Sequence, residues 1–394
     1  MFLRRILIAL LIGGFSLLSK AQNSGSVLGQ DRTRRVIPVA VPFLSITPDS
    51  RSGAMGDVGV AILPDANATH WNPAKLAFIE GQSGFSLSYN PWLVRLVNDM
   101  WLSYLAGYKR LSKLETIGGS IRYMNLGSMQ FTDLLGNPLQ EFNPREIAID
   151  VTYARKLSST LSIAPAFRFI HSNLAGNISN AGTNINAQPG NTVAVDLGIF
   201  YQKPANFGLI PGTVAFGCNI SNVGLKLTYN DPQSRDFIPT NLRLGTAITG
   251  ELDEYNKLTF ALDLNKLLVP SPVMQNGRLS MPNRTLVSGI FGSFSDAPLR
   301  EELQEIMIAT GVEYWYNDIF ALRGGYFHEA EIKGGRQFAT VGAGIKVRSF
   351  NINFAYLIPM RQNMPLADTL RFSLLFNFSG KQIETGDDEA TPAE

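Results

Sequence analysis

The side chains that could carry out catalysis are few and lie far apart in this sequence. Its 394 residues include one cysteine, Cys218, and three histidines, His70, His171 and His328. A serine hydrolase needs a nucleophile, a histidine base and a polar orienting residue at one site, and no Gly-x-Ser-x-Gly motif is present. A lone cysteine allows no intrachain disulfide. We therefore predict that the protein is not an enzyme and holds no metal and no cofactor.

The charged residues give no indication of a nucleic-acid partner. The formal net charge is +2, and the basic residues are dispersed along the chain rather than clustered. A basic patch would be needed to attract nucleic acid. Charged residues are 17% of the chain, whereas soluble globular proteins have about 25%. We predict no nucleic-acid partner and a fold that exposes little charge.

The first 21 residues have the pattern of an export signal. Arg4 and Arg5 precede an apolar run over residues 6–18, and Ser19 and Ala21 are the small residues of a cleavage site. The apolar run is shorter than the ~20 residues that a membrane helix needs. We predict a signal peptide over 1–21 and a mature protein that works outside the cytoplasm.

Strict alternation of apolar and polar residues dominates the chain after residue 82. A period of two places successive side chains on opposite faces of a strand, and about fourteen segments have this pattern. These segments are 83–89, 100–109, 114–124, 145–156, 160–171, 191–202, 212–221, 239–250, 256–265, 306–316, 318–328, 337–347, 350–359 and 369–379. The connections alternate between short turns, with a longer one over 204–211, and long loops at 125–144, 172–190, 222–238 and 266–305.

This alternation of turns and loops predicts an all-β fold, a transmembrane antiparallel β-barrel of about 14 strands with an N-terminal hatch or plug. Such barrels have short turns at one rim and long loops at the other. A soluble sandwich, a propeller and a soluble barrel are the alternatives. Polar strand faces rich in Gly, Ala, Ser and Asn, and aromatic residues near strand ends, favour the membrane. The predicted regions are the signal peptide 1–21, an N-terminal periplasmic segment and lumenal hatch 22–80, the barrel 81–379 and a disordered periplasmic tail 380–394.

Residues 53–78 interrupt the strands and have the composition of a plug. Many are glycine or alanine, which let backbone segments approach closely, and short polar side chains can cap turns. Proline at a first helical position, preceded by asparagine, predicts a short helix starting at Pro73. The alternative is a loop that packs on a soluble domain. The predicted hatch residues are Asp65, Asn67, Trp71, Asn72, Pro73 and Ala74, with Asp65, Asn67 and Asn72 as the capping residues.

The inward faces of the predicted strands carry charges of both signs and many small residues. Inward charges could tune an aqueous pore or pair across the interior and with Asp57 and Asp65, and we favour pairing. The inward charged residues are Arg122, Asp150, Arg168, Asp196, Arg243, Asp263, Glu313, Arg323, Lys346 and Arg371. The inward small residues, which leave room for a plug, are Gly118, Ala148, Ala194, Gly198, Gly245, Ala261, Gly311, Gly325, Gly342 and Gly344.

The predicted loops at 91–97 and 266–305 contain more apolar residues than a solvated loop needs. Exposed apolar patches mark contacts with protein or membrane, although these residues could instead fold over the barrel mouth as a lid. We expect a short helix near 299–306 with Glu301, Glu302 and Glu305 outward. The residues proposed to bind a partner or cargo are Trp92, Leu93, Val273, Met274, Leu286, Ile290, Phe291 and Phe294.

Residues 53–61 (GAMGDVGVA) and 65–77 (DANATHWNPAKLA), followed by about fourteen strands, resemble the FadL-type family of outer-membrane barrels. The Asn-Pro-Ala element of that family's N-terminal hatch matches Asn72, Pro73 and Ala74. Within the family, the chain is most similar to the PorV (LptO) barrels of the Bacteroidetes type IX secretion system, and sister barrels such as PorQ share the pattern. The resemblance covers essentially the whole mature chain.

The resemblance implies a non-enzymatic carrier in the Gram-negative outer membrane, with both termini in the periplasm. PorV-type barrels receive secreted cargo, by its C-terminal signal domain, from an SprA-like translocon. They pass it to a PorU-type attachment complex, which joins it to lipopolysaccharide. The expected partners are therefore membrane lipids, lipopolysaccharide, the translocon, cargo C-terminal domains and the attachment complex. A FadL-like channel for hydrophobic small molecules and a membrane enzyme using His171 or His328 are the alternatives.

Overall fold

The computed structural model describes residues 35–94, 96–132, 135–174, 188–229, 235–275, 278–361 and 369–378. The predicted signal peptide over 1–21, residues 22–34 and the tail over 380–394 lie outside these described residues and stay predictions.

Eighteen strands are present in the described residues, and fourteen of them close into a barrel. The strands are β1 (Ser83–Pro91), β2 (Met100–Arg110), β3 (Glu115–Leu126), β4 (Met129–Thr132), β5 (Pro138–Phe142), β6 (Arg145–Lys156), β7 (Leu161–Asn173), β8 (Gly190–Phe207), β9 (Ile210–Gly224), β10 (Asn241–Glu251), β11 (Asn256–Leu267), β12 (Val273–Gln275), β13 (Arg278–Ser280), β14 (Met307–Tyr316), β15 (Phe320–His328), β16 (Gln337–Val347), β17 (Phe350–Pro359) and β18 (Leu370–Phe378).

The barrel strands follow one another in chain order, and every neighbouring pair is antiparallel. The barrel closes by pairing of β1 with β18, where Leu87 lies opposite Leu374. The other edge of β1 pairs with β2, where Leu87 lies opposite Leu105. Closing the sheet satisfies the backbone groups of all its edges, as the interior of a membrane requires. The predicted all-β antiparallel barrel of about 14 strands is confirmed.

The connections at the two rims differ in length. At one rim, the turn rim, the six connections are two to four residues long, and at the other, the loop rim, the seven connections span eight to 39 residues. The turn predicted over 204–211 is shorter than expected, because β8 and β9 continue to a two-residue turn at Gly208 and Leu209. Gly208 has φ +70°, which glycine adopts without steric cost. The predicted loops 125–144 and 266–305 contain the hairpins β4–β5 and β12–β13, which were not predicted.

The outward faces of the barrel strands are apolar. On β8, the alternate residues Val193, Val195, Leu197 and Ile199 have 36% to 48% of their surface exposed. A continuous row of exposed aliphatic side chains is unfavourable in water and suits contact with lipid acyl chains. Among the described residues, the search for a helix long and apolar enough to cross a membrane found none.

The helical elements of the described residues are short and are not part of the barrel wall. The α-helices are α1 (Ser50–Gly53), α2 (Ala68–Trp71), α3 (Leu286–Gly292) and α4 (Leu299–Gln304), and the 3₁₀ helices are Pro42–Ser45, Pro73–Phe78 and Glu331–Lys333.

Residues 35–80, here called the inner segment, lie inside the barrel. Strands around the whole circumference bond to it: Arg122 of β3 donates to the Leu44 carbonyl at 2.8 Å, and Ser162 of β7 donates to the Ala74 carbonyl at 2.7 Å. Across the lumen, Asp263 of β11 accepts from the Gly59 N–H at 2.7 Å. A segment bonded to opposite walls of a closed sheet must occupy the space between them.

The inner segment fits because glycines line the wall beside it. A Cβ atom added at Gly325 would lie 2.0 Å from the Met55 carbonyl carbon, and one added at Gly311, its partner on β14, would lie 2.5 Å from the Met55 oxygen. The wall glycines whose added Cβ would meet the inner segment at 3.0 Å or less are Gly118, Gly198, Gly217, Gly245, Gly311, Gly325 and Gly342. All but Gly217 are among the predicted small residues, whereas Gly344 instead faces Arg323 and Asn353.

Replacing Gly325 by alanine should therefore destabilise the packed barrel. The added methyl group meets backbone atoms of Met55 and Gly56, which cannot rotate away, so we expect a cost of at least about 1–3 kcal/mol from overpacking. Urea unfolding in lipid vesicles measures the free energy, and limited proteolysis of residues 35–80 reports displacement of the inner segment. The control is Gly324→Ala on the same strand, whose added Cβ has its nearest neighbour 3.8 Å away at the Thr340 carbonyl. Equal stability and equal proteolysis of the two variants would contradict the prediction.

Candidate functional site

The Asn-Pro-Ala element fixes the inner segment to the barrel wall. Asn72 precedes the 3₁₀ helix Pro73–Phe78, and its Oδ1 accepts a hydrogen bond from the Ala74 N–H at 3.2 Å. Its Nδ2 donates to the Ile199 carbonyl of β8 at 2.9 Å. Pro73 loses no hydrogen bond at the first helical position. The start of this helix is therefore capped, as predicted, by a side chain that also holds the wall.

Trp71 connects two parts of the inner segment with the wall. Its indole Nε1 donates to Asp49 Oδ1 at 2.7 Å, and the other oxygen of Asp49 accepts from the Ser52 N–H at 2.9 Å. The guanidinium of Arg243 on β10 lies 5.0 Å from the Trp71 ring centroid, within the range of a cation–π contact. The buried Trp71 side chain therefore contacts both Asp49, which caps helix α1, and the barrel wall.

Asp65 caps a turn as predicted, but Asn67 does not. Asp65 Oδ1 accepts from the Asn67 N–H at 2.8 Å, and its Oδ2 accepts from Arg51 at 3.1 Å. Helix α2 begins after Asn67, whose side chain makes no capping hydrogen bond. Within the described residues, the buried Asn67 amide has no hydrogen-bond partner.

The inner segment is tied to the wall by buried ion pairs. Glu313 of β14 accepts two hydrogen bonds from Arg51, at 2.9 and 2.7 Å, and a third from Arg323 of β15 at 2.6 Å. Elsewhere along the segment, Arg371 of β18 donates to Asp57 at 2.9 Å. Buried charges persist when they are paired and hydrogen-bonded. Arg51 was not predicted, because a single arginine in a loop gives no periodic signal.

A second group of charges pairs within the wall itself. Arg168 of β7 donates to Asp196 of β8 at 2.9 Å and also pairs with Asp150 of β6. Asp196 in turn accepts from the Asn222 N–H at 2.7 Å, where β9 bulges against β8. These charges pair between neighbouring strands rather than across the interior, whereas the predicted pairing of an inward charge with Asp57 is observed for Arg371. Lys346 differs, because it is exposed at the turn rim.

The three histidines lie in separate environments. His70 Nδ1 lies 2.5 Å from Arg122 Nη2, inside the barrel. His171 Nδ1 lies 2.7 Å from Asn191 Oδ1, and His328 Nδ1 lies 3.5 Å from the Tyr326 hydroxyl. These recorded partners are an arginine, an amide and a phenol rather than an activated nucleophile.

The inner segment begins at the loop rim. The Arg35 N–H donates to the Ile332 carbonyl at 2.7 Å, and the Ala40 N–H donates to the Phe237 carbonyl at 2.8 Å. Ile332 and Phe237 belong to connections of the loop rim. At its other end, the Glu80 carbonyl accepts from Arg110, beside a tight turn. The segment therefore runs the length of the lumen before it enters β1.

A buried charge network supports the longest loop, and it reverses one prediction. Glu301, Glu302 and Glu305 around helix α4 were expected to point outward, but all three are buried. Lys333 donates to Glu301 and Glu305 at 2.8 Å each, Lys266 donates to Glu302 at 3.0 Å, and Arg35 donates to Glu301 at 2.7 Å. The cations lie far away in the sequence, so local periodicity does not reveal them.

Glu305 is ionised within this network. Burial raises its pKa, but hydrogen bonds from Lys266, Lys333 and Ser271 lower it by more, so the pKa lies below its ordinary value. Carboxylate oxygens of Asp296, Glu302 and Glu305 lie within 4.8 Å of one another, which is a possible cation site by spacing alone. Lys266 and Lys333 already neutralise this group. The residues therefore suit an ammonium group better than a metal ion.

Helices α3 and α4 and the residues between them expose apolar side chains on the surface. Five of these side chains have 49% to 76% of their surface exposed and form what we call the loop ridge. They are Val287, Phe291, Phe294, Leu299 and Leu303. Two of these residues, Phe291 and Phe294, were predicted to contact a partner.

The other predicted contact residues lie deeper. Leu286 packs on Ile37, Phe237 and Val269 at the barrel mouth, and Trp92 packs on the cluster around Phe43. Leu93, Val273 and Ile290 are partly buried, and the Met274 side chain lies outside the described residues. The 268–306 loop therefore covers the mouth with one face, as in the predicted lid, and exposes apolar side chains on the other. Contact of those exposed side chains with a partner stays a prediction.

A family model identifies the chain. The model of the type IX secretion system protein PorV matches residues 29–274, which is more than half of the sequence. The chain belongs to the PorV family. It is therefore an outer-membrane β-barrel component of the type IX secretion system.

Solved structures of outer-membrane channels are similar to this chain at low sequence identity, and the first of them has the same fold. A TodX deltaS2S3 mutant, a monoaromatic hydrocarbon channel, is 14% identical with a TM-score of 0.51, covering 84% of this chain and 99% of its own. The Pseudomonas putida toluene transporter TodX is 12% identical with a TM-score of 0.49, covering 86% and 100%. A Pseudomonas aeruginosa FadL homologue is 12% identical with a TM-score of 0.42, covering 88% and 100%. No curated protein matches the chain.

Replacing Glu313 by glutamine should strongly destabilise the packed inner segment. The change leaves Arg51 and Arg323 buried without their shared carboxylate, and breaking a buried ion pair in this way costs about 3–5 kcal/mol. Urea unfolding in vesicles measures the loss. The control is Glu115→Gln, which breaks the exposed pair with Arg155 and should cost at most ~1 kcal/mol. Similar losses in both variants would show that the buried triad does not hold the segment.

Proposed function

We propose that the loop ridge binds secreted cargo and that the barrel is a non-enzymatic carrier. Cargo would arrive from an SprA-like translocon, dock by its C-terminal signal domain, and pass to a PorU-type complex that attaches it to lipopolysaccharide. The family assignment supports a place in type IX secretion. The exposed apolar ridge on a rigid loop is the observation that carries the cargo step.

The occupied lumen directs this function to the loop rim. The inner segment is bonded to β7, β11 and β14, and displacing it would break buried ion pairs and hydrogen bonds. In this proposal, the hatch residues Asp65, Asn67, Trp71, Asn72, Pro73 and Ala74 keep the barrel closed. A closed barrel leaves its surfaces, rather than its interior, available to a folded partner.

The loop ridge has the properties of a binding surface. Five large apolar side chains are exposed there, four on two short helices and Phe294 between the helices, and contiguous exposed apolar residues mark interaction sites. Their support is rigid, because the buried network of Lys266, Lys333 and Glu305 fixes α4 to the barrel. A preformed surface loses little conformational entropy on binding.

The proposed orientation places the loop rim at the cell surface. Long loops face outward in transmembrane barrels and tight turns face the periplasm. The ends of the barrel sheet, Ser83 and Phe378, pair at the turn rim, so both ends of the 81–379 region would lie on the periplasmic side.

A channel for hydrophobic small molecules is the second candidate. The likeness to a monoaromatic hydrocarbon channel favours it at the level of fold. The charged interior disfavours it, because Arg51, Glu313, Arg168 and Asp196 lie where an apolar solute would pass. Uptake of a radiolabelled fatty acid by cells with and without the protein tests this role independently.

Polar substitution of the ridge should abolish cargo binding without affecting insertion. We expect Phe291→Ser with Leu299→Ser to reduce co-purification of a cargo C-terminal domain at least tenfold, because interface hot spots contribute about 2 kcal/mol or more each. Quantitative pull-down from detergent extract measures the effect, and heat-modifiable migration on a gel reports barrel folding.

The control removes equal apolar surface from the opposite rim. Leu209→Ser, with Leu252→Ser, changes two exposed leucines in tight turns and should leave cargo capture unchanged. Normal capture by the ridge variant would reject the ridge as the cargo site, while loss of fatty-acid uptake in cells lacking the protein would favour the channel.

A further inference from the structure

An open groove lies at the loop rim beside the loop ridge. Its volume is about 840 Å³, within the range of sites for small ligands and cofactors. The groove lies between the start of β8, the connection after β9 and the start of α3. Its lining residues are Gln188, Pro189, Gly190, Asn191, Thr192, Leu225, Lys226, Thr228, Tyr229, Arg235, Asn283, Arg284, Thr285 and Leu286.

The groove is basic. Lys226, Arg235 and Arg284 come from two different connections and line the same space, and the lining contains no aspartate or glutamate. The carboxylates of Asp236 and Asp296, which interact electrostatically with Lys226 and Arg284, are outside the lining. The groove therefore concentrates positive potential that an anion would neutralise.

The uncharged lining suits hydroxyl groups. Seven side chains with amide or hydroxyl groups accompany the three cations and offer both donors and acceptors. They are Gln188, Asn191, Thr192, Thr228, Tyr229, Asn283 and Thr285. An anion that also bears several hydroxyls, such as a phosphorylated sugar, matches this mixture better than inorganic phosphate alone.

The groove is continuous with the lipid-facing wall. Asn191 lines it and lies on the outward face of β8, and the next outward residues, Val193, Val195 and Leu197, are exposed aliphatic side chains. Leu225, also in the lining, has 63% of its surface exposed. Acyl chains lying against this row would bring an attached headgroup to Asn191, Lys226 and Arg284.

We propose that this groove binds the phosphate-bearing sugar headgroup of an outer-leaflet glycolipid whose acyl chains lie along the outward face of β8. The inference rests on the proposed orientation, since the loop rim must face the outer leaflet. It does not depend on cargo binding. The continuity with the acyl-chain surface favours a lipid over an acidic peptide, which would need no adjoining aliphatic row.

The test measures lipid binding to the full-length protein in neutral detergent micelles, so its result does not depend on orientation in a cell. The probe is a fluorescent bis-phosphorylated glucosamine disaccharide glycolipid, compared with its dephosphorylated form. The variant is Lys226→Gln with Arg284→Gln. Each surface cation contributes about 1 kcal/mol to attraction of an anionic headgroup, which is about fivefold, so we expect roughly 25-fold weaker binding.

The matched control removes the same charge at the same rim. Arg145→Gln with Arg300→Gln changes two exposed arginines outside the groove and should leave the affinity within about twofold. Wild-type binding should weaken with added salt, and the double groove variant should lose most of that dependence.

The remaining outcomes each decide the proposal. Equal affinity of the wild type for the phosphorylated and dephosphorylated glycolipid, or equal loss in the groove and control variants, would overturn it. Displacement by soluble glucosamine 6-phosphate at the same concentration as the glycolipid would assign the groove to a free sugar phosphate. Displacement by an acidic peptide would assign it to a protein. Cysteine labelling of the loop rim in intact cells separately tests the orientation.

Discussion

The close approach of the inner segment to the barrel wall is the constraint on which this structure depends. Backbone atoms of Met55 and Gly56 lie where a Cβ of Gly325 would be, and Met55 also occupies the Cβ position of Gly311. These contacts remove any room for water between plug and wall at that level. The wall glycines and the plug therefore form one packed unit, and the ion pairs of Arg51 and Arg371 fix its position.

The filled interior distinguishes this barrel from a channel. A channel needs a lumen that opens, whereas this lumen is crossed by hydrogen-bonded backbone and buried charges from end to end. The same segment then continues to the loop rim, where Arg35 bonds to Glu301 and Ile37 packs beneath Leu286. The plug thus also supports the outer surface, so the stability of the loop platform is coupled to the packing of the lumen.

The barrel could be predicted from the sequence because its signal is local. In each strand, the period of two in the sequence indicates which residues face inward and which face outward. Closure is predicted from the even number of strands and the alternation of short and long connections. The Asn72 cap was predictable for the same reason. The orientation of α4 was not, because Glu301, Glu302 and Glu305 resemble a solvated face until Lys266 and Lys333 are brought to them. Arg51 was missed because its partner Glu313 lies on a distant strand. The prediction that Asn67 caps a turn was wrong.

Charge placement distinguishes the structural parts of the molecule from the surfaces available for binding. Inside the barrel and beneath α4, buried charges form ion pairs, as in the triad of Arg51, Glu313 and Arg323, or bond to backbone and polar groups, as Arg122 does. The groove around Lys226 and Arg284 has cations without lining carboxylates, and the ridge around Phe291 has apolar side chains without a cover. Both features would weaken a protein whose loop rim met only water. Their position side by side on one rigid rim is consistent with a surface where a lipid headgroup and a protein partner are held together.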